Sequence, residues 1–221
     1  MSAARQPIRE AMIAAFAVIA VLAVLSVLAA VNVLAESLYS AMIPLIFFWV
    51  PMGVLLARQR PLGEYGLRTD NLVGAVGAAL AIAVVVLPLF TMGYWLFWGV
   101  LVGRDITWHL GSKFLWQIPI QFLVVAIPEE LFFRGYLQTL LAKGWRGRKL
   151  PFVGTDAPAI ITASVLFALT HVATNPHPAR LGVFFPALLF GALRSYTGSI
   201  AAPVLLHALA NLLIFALEGK V

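Results

Sequence analysis

The sequence predicts an all-α polytopic membrane bundle of about seven transmembrane helices, with eight as the alternative count. Three observations predict it. Hydrophobic residues make up 62% of the 221 positions and charged residues only 11%, where a soluble domain carries about 25% charge. The apolar residues fall in long unbroken runs, as spanning helices require, and not in the short alternating segments of a membrane barrel. The charges gather in the short stretches between those runs. Residues 1–221 therefore read as a single integral membrane domain, with a core of four helices over 112–217.

The segments follow in order. Segment 11–31 is uncharged and follows Arg5 and Arg9. A signal peptide ending at Val33-Leu34-Ala35 is the alternative, but the run is longer than the ~7–15 residues of a typical signal core. Segment 38–57 contains Pro44 and Pro51, which a membrane helix tolerates where neighbours satisfy the freed carbonyls. After a polar loop, segment 72–102 exceeds the ~20 residues a span needs. It is expected to tilt, to bend near Pro88, or to end in an interfacial stretch bearing Tyr94, Trp95 and Trp98. Gly74, Gly77, Ala78 and Ala81 are expected to form its close-packing face. Segment 114–142 comes fourth, followed by the basic loop 143–149. Segments 157–173, 181–196 and 200–217 are short, which suits the interior of a bundle.

Composition excludes several chemistries. There is no cysteine, so disulfides, thiolate zinc sites and a cysteine nucleophile are ruled out. The net charge of +6 points to topology, not to nucleic acid, because basic residues in short loops orient membrane proteins. With seven spans and the N-terminus inside, the inner regions hold Arg5, Arg9, Arg58, Arg60, Arg68, Lys143, Arg146, Arg148, Lys149 and Arg194. The outer regions hold Arg104, Lys113, Arg180 and Lys220. That distribution favours a cytoplasmic N-terminus.

The fourth segment contains Ile127-Pro-Glu129-Glu130-Leu-Phe-Phe-Arg134. One charge at the bilayer centre costs at least ~2.5–3.5 kcal/mol on insertion scales, so three need a reason. Glu130 precedes Arg134 by four residues, the favourable order for a helical ion pair. The two are read as a clasp. Glu129 points about 100° away on the helix and is left without an obvious cation. The fifth segment carries Phe167-x-x-x-His171 and the seventh His207-x-x-x-Asn211, each pair sharing a helix face. Two histidines, an asparagine and a glutamate pair on three helices suggest one convergent polar site. His109 and His177 read as solvated loop residues, and Tyr136 and Thr170, beside the motifs, as either substrate contacts or packing residues. The 174–178 loop directly follows His171 and is a candidate gate.

Together the three motifs resemble those of the CPBP intramembrane proteases. That family includes the type II CAAX prenyl endopeptidases and bacteriocin-processing or immunity homologues. The resemblance covers roughly residue 114 to the C-terminus; the first three segments match only in hydrophobic character. It implies a glutamic-type endopeptidase needing no cofactor, with 112–217 as its catalytic core. By position, Glu129 and His171 would activate a water, while His207 and Asn211 would stabilise the oxyanion. Glu130, Arg134 and Phe167 would support them. One alternative uses Glu129, His171 and His207 as ligands of a catalytic Zn2+, although no His-Glu-x-x-His spacing is present. Another is a non-enzymatic transporter or immunity protein, since intramembrane Glu and His residues also relay protons.

Depth bears on the substrate. Glu129 lies 13 residues before position 142 and His171 lies 14 beyond position 157. At 1.5 Å per residue, both sit about 20 Å from the inner side of a ~30 Å core. An outward-leaning site suits a membrane-anchored or lipidated protein, including a C-terminal sorting tail as in the family's myxosortase-like and exosortase-like branch. The expected partners are membrane lipid and such a substrate, with no nucleic acid. The expected location is the bacterial inner membrane.

Overall fold

The computed structural model describes residues 5–145 and 156–219. Arg146, Arg148 and Lys149 of the basic loop, and Lys220, lie outside the described residues. Seven helices alternate in direction among those described: α1 (Arg5–Ala30), α2 (Glu36–Ala57), α3 (Leu72–Tyr94), α4 (Ser112–Gly144), α5 (Ala157–Thr174), α6 (Phe184–Thr197) and α7 (Ala201–Glu218). No strand occurs among the described residues, and the protein is an all-α polytopic bundle.

Contacts at the two ends establish the alternation. At the end holding Arg58 and Arg60, Lys143 pairs with Glu64 at 2.6 Å. There Ser195 donates to Asp156, and the Ile200 amide donates to the Gly66 carbonyl. At the opposite end, Ser26 and Tyr39 donate to the carbonyls of Ala173 and Thr174, and the His109 amide donates to the Ala216 carbonyl.

Six of the helices are long and apolar enough to cross a membrane. The sixth predicted span is the exception. A 3-10 turn occupies Pro178–Val183, and α6 then has only 14 residues, about 21 Å against a ~30 Å core. It lies inside the bundle, where Ala187, Phe190, Gly191 and Leu193 are buried. Segment 72–102 is also resolved differently. The α-helical turns of α3 run through Pro88 and pass into a wider π-helical stretch, Trp95–Leu101. Its buried face is Ala75, Ala79 and Ala83, packed with Ala202 and Leu206 of α7. Gly74, Gly77 and Ala81 are exposed, so the small-residue face predicted for this helix is out of phase. Small residues occur all around 74–83, and only the i, i+4, i+8 alanines lie in register with α7.

The longest helix, α4, is interrupted by two π-helical stretches, Ile120–Ala126 and Leu131–Leu137. Pro128 has no N–H to offer the Val124 carbonyl and its ring crowds that carbonyl. The widened turns before it relieve both problems. Such bulges are frequent at functional sites, and here they bracket the short α-helical stretch Ile127–Glu130. Around it lies the main core, where Phe132 and Phe133 pack on Phe47 of α2 and Phe167 of α5. Gly135 admits the Leu62–Tyr65 turn: a Cβ there would stand 3.0 Å from the Tyr65 carbonyl oxygen.

Candidate active site

Glu130 and Arg134 are almost fully buried, and Arg134 Nη1 donates to Glu130 Oε1 at 3.0 Å. The same oxygen accepts a second hydrogen bond, from His207 Nδ1 at 2.8 Å. Glu130 therefore holds α7 as well as its own helix, a link that the helical spacing alone did not suggest. Arg134 also donates to the Ala187 carbonyl of α6. Its guanidinium lies 4.5 Å from the Phe167 ring centre and 5.3 Å from that of Phe190, close enough for cation–π attraction. Phe167 thus supports the arginine as well as the adjacent imidazole, whose ring centre lies 4.3 Å from its own.

The histidine protons follow from these partners. A carbonyl only accepts, so the 3.0 Å contact of His171 Nδ1 with the Phe167 carbonyl places a proton on Nδ1 and leaves Nε2 available. In His207, Nδ1–H donates a hydrogen bond to Glu130, and Nε2 lies 3.9 Å from Glu129 Oε2. That Glu129 oxygen is buried and has no hydrogen-bond partner among the described residues.

Asn211 Nδ2 donates to Gln121 Oε1 at 2.9 Å, and Gln121 in turn donates to Gln117. Gln121 was given no role from sequence. The available signal was its place one turn after Gln117 within an apolar span. Phe190 was also missed: its ring stacks on His207 with centres 5.0 Å apart and planes 18° apart.

All four candidate catalytic residues line one cavity of about 1050 Å³, together with Phe167 and Phe190. Asn175, His177 and Arg180 line it too, so the cavity reaches the end of the bundle where α5 stops. His177 is exposed, as expected of a loop residue, and also borders that lining. Among the described residues, no three His, Asp or Glu side chains are grouped to hold a metal ion.

The comparisons with known proteins bear on the same region. The family model for "Type II CAAX prenyl endopeptidase Rce1-like" matches residues 110–213. This stretch is similar to that family, over just under half of the chain. It takes in α4 through most of α7 and includes every residue of the site built above. The match agrees with the resemblance to CPBP proteases, and the six long apolar helices make a multi-pass membrane protein. No curated protein and no solved structure matches the chain.

Proposed function

We propose that this chain is an intramembrane endopeptidase of glutamic type, acting on a membrane-anchored or C-terminal-tail substrate through a water activated by Glu129. The observation that carries the proposal is the single cavity shared by Glu129, His171, His207 and Asn211 from three helices. A carboxylate and an imidazole with a free Nε2 suit general-base activation of water. The water oxygen attacks the scissile carbonyl carbon, and its proton passes to Glu129. The resulting oxyanion takes donors from Asn211 and His207. Because His207 Nδ1 is committed to Glu130, His207 donates through Nε2 when its ring carries both protons. Glu129 then returns its proton to the leaving nitrogen as the C–N bond breaks, yielding a carboxylic acid and an amine, which exchange the remaining proton to leave a carboxylate and an ammonium group.

The direction of opening favours the substrate class. The cavity reaches the end bearing Asn175, His177 and Arg180, which the distribution of Lys and Arg assigns to the outside. An outward opening in a bacterial inner membrane fits a sorting tail better than a cytosolic prenylated one. Reporter fusions in the 143–156 loop test the orientation; an external reporter there reverses it. The chemistry is tested by mass spectrometry of membrane-protein termini with and without the enzyme. A new terminus should appear with wild type and be absent with Glu129→Ala. Its persistence in the purified variant refutes the glutamic mechanism.

The zinc reading has one observation in its favour: both histidines commit Nδ1 to an acceptor and keep Nε2 available, as metal-bound histidines do. Metal analysis of the purified protein separates it from the metal-independent reading.

A further inference from the structure

Arg180 is half-buried, lines the same cavity as Glu129 and His171, and has no ion pair among the described residues. A guanidinium withdrawn from water without a counter-ion is costly, and its planar fork matches a carboxylate. Two acidic residues share that lining, Glu129 and Glu218, and neither forms an ion pair with Arg180 among the described residues. A second donor stands beside Arg180. The Ala179 amide donates to His177 Nδ1 at 3.2 Å, so the His177 ring carries its proton on Nε2. The Arg180 amide bonds back to the His177 carbonyl at 3.0 Å, which keeps the two residues on one turn.

We propose that Arg180 and His177 form a carboxylate-binding rim that anchors a peptide by an anionic group close to the bond presented to Glu129 and His171. The inference rests on the endopeptidase reading for its ligand class and adds a binding subsite to it. The carboxylate has two possible sources, a free C-terminus or an Asp or Glu side chain. Charge-assisted hydrogen bonds to guanidinium are strong enough for either to change retention about tenfold.

The test uses the full chain in phosphatidylcholine nanodiscs, as wild type, Arg180→Gln, Arg180→Lys and His177→Gln, each checked for monodispersity and melting. Three pools of randomised decapeptides are passed over the immobilised proteins: free-acid peptides lacking Asp and Glu, their C-terminal amides, and amides carrying one Asp. Wild type should retain the free-acid or the Asp pool about tenfold more than the plain amides, and the favoured pool identifies the source. Arg180→Gln should abolish the difference, Arg180→Lys should keep part of it, and His177→Gln should reduce it. Equal retention of all pools by wild type overturns the proposal. So does a difference that survives Arg180→Gln, or a variant that loses only co-purified anionic lipid. Cleavage that persists in Glu129→Ala would sink the glutamic mechanism while leaving this retention result standing, so the two failures are distinguishable.

Discussion

His207 Nδ1 sits 2.8 Å from Glu130 Oε1, although the two residues are 77 positions apart. The oxygen that neutralises Arg134 therefore also sets the orientation of an imidazole lining the cavity. Removing the carboxylate has two separable effects. Glu130→Ala leaves the guanidinium of Arg134 buried without its partner, and breaking a buried pair in this way costs about 3–5 kcal/mol. Glu130→Gln keeps a hydrogen-bond acceptor and should unfold less readily than Glu130→Ala. It should still lower kcat, because His207 loses the carboxylate at Nδ1. Equal melting temperatures for wild type and Glu130→Ala in detergent contradict this account.

Asn211 is held by Gln121, so the two substitutions should differ in degree. Asn211→Ala removes a proposed oxyanion donor and should reduce kcat about 10²–10³-fold, with a smaller effect on KM. Gln121→Leu leaves the asparagine in place but unanchored, and its loss should be smaller. A rise in KM with unchanged kcat for Asn211→Ala would assign it to substrate binding instead. Activity in the presence of a strong chelator should equal that without it; a loss restored by Zn2+ would establish the metal reading.

The spans were legible in the sequence because a membrane helix must be apolar along its whole length, and the Glu130–Arg134 pair because both ends lie on one helix turn. The contacts that complete the site are not local. His207 reaches Glu130 across 77 residues and Asn211 reaches Gln121 across 90, and no periodicity within a segment encodes either. Hydropathy also overstated the sixth span, 181–196, since Leu181, Gly182 and Val183 are apolar enough to start the run although they belong to the 3-10 turn before the helix. The packing face of α3 failed for a related reason: with small residues on every side, its rotation is decided by α7.

Glu10 lies outside the Rce1-like segment yet engages it. Its carboxylate accepts from Tyr136 at 2.7 Å and from Arg58 and Arg60 at 2.7–2.8 Å. This junction fastens α1 and the 58–60 turn to α4, two residues beyond Arg134. Tyr136 is buried, and a hydrogen bond to a charged group contributes about 1.5–3 kcal/mol. Tyr136→Phe should lower stability by that order, and Glu10→Gln should do so by weakening several bonds at once. Combining the two should cost less than their sum, because they share one bond. Strict additivity in thermal unfolding would mean that the junction does not act as a unit.

The position of α6 depends on Gly191. A Cβ at this residue would stand 2.8 Å from Ile160 Cγ2 and 3.0 Å from Gln138 Oε1, so Gly191→Ala must push α6 away from α5 and α4. Overpacking of this kind costs about 1–3 kcal/mol. The helix also carries Phe190, stacked on His207, and Ala187, whose carbonyl accepts from Arg134. Displacing it should therefore depress activity even at temperatures where the variant remains folded. Ile160→Ala alone should cost about 2–5 kcal/mol through the cavity it leaves. In the double variant the new methyl occupies part of that space, so the combined loss should fall below the sum of the single losses. If the double variant is as unstable as that sum, or Gly191→Ala alone keeps full activity, the close approach of α6 is not what sets the position of Phe190 over the imidazole.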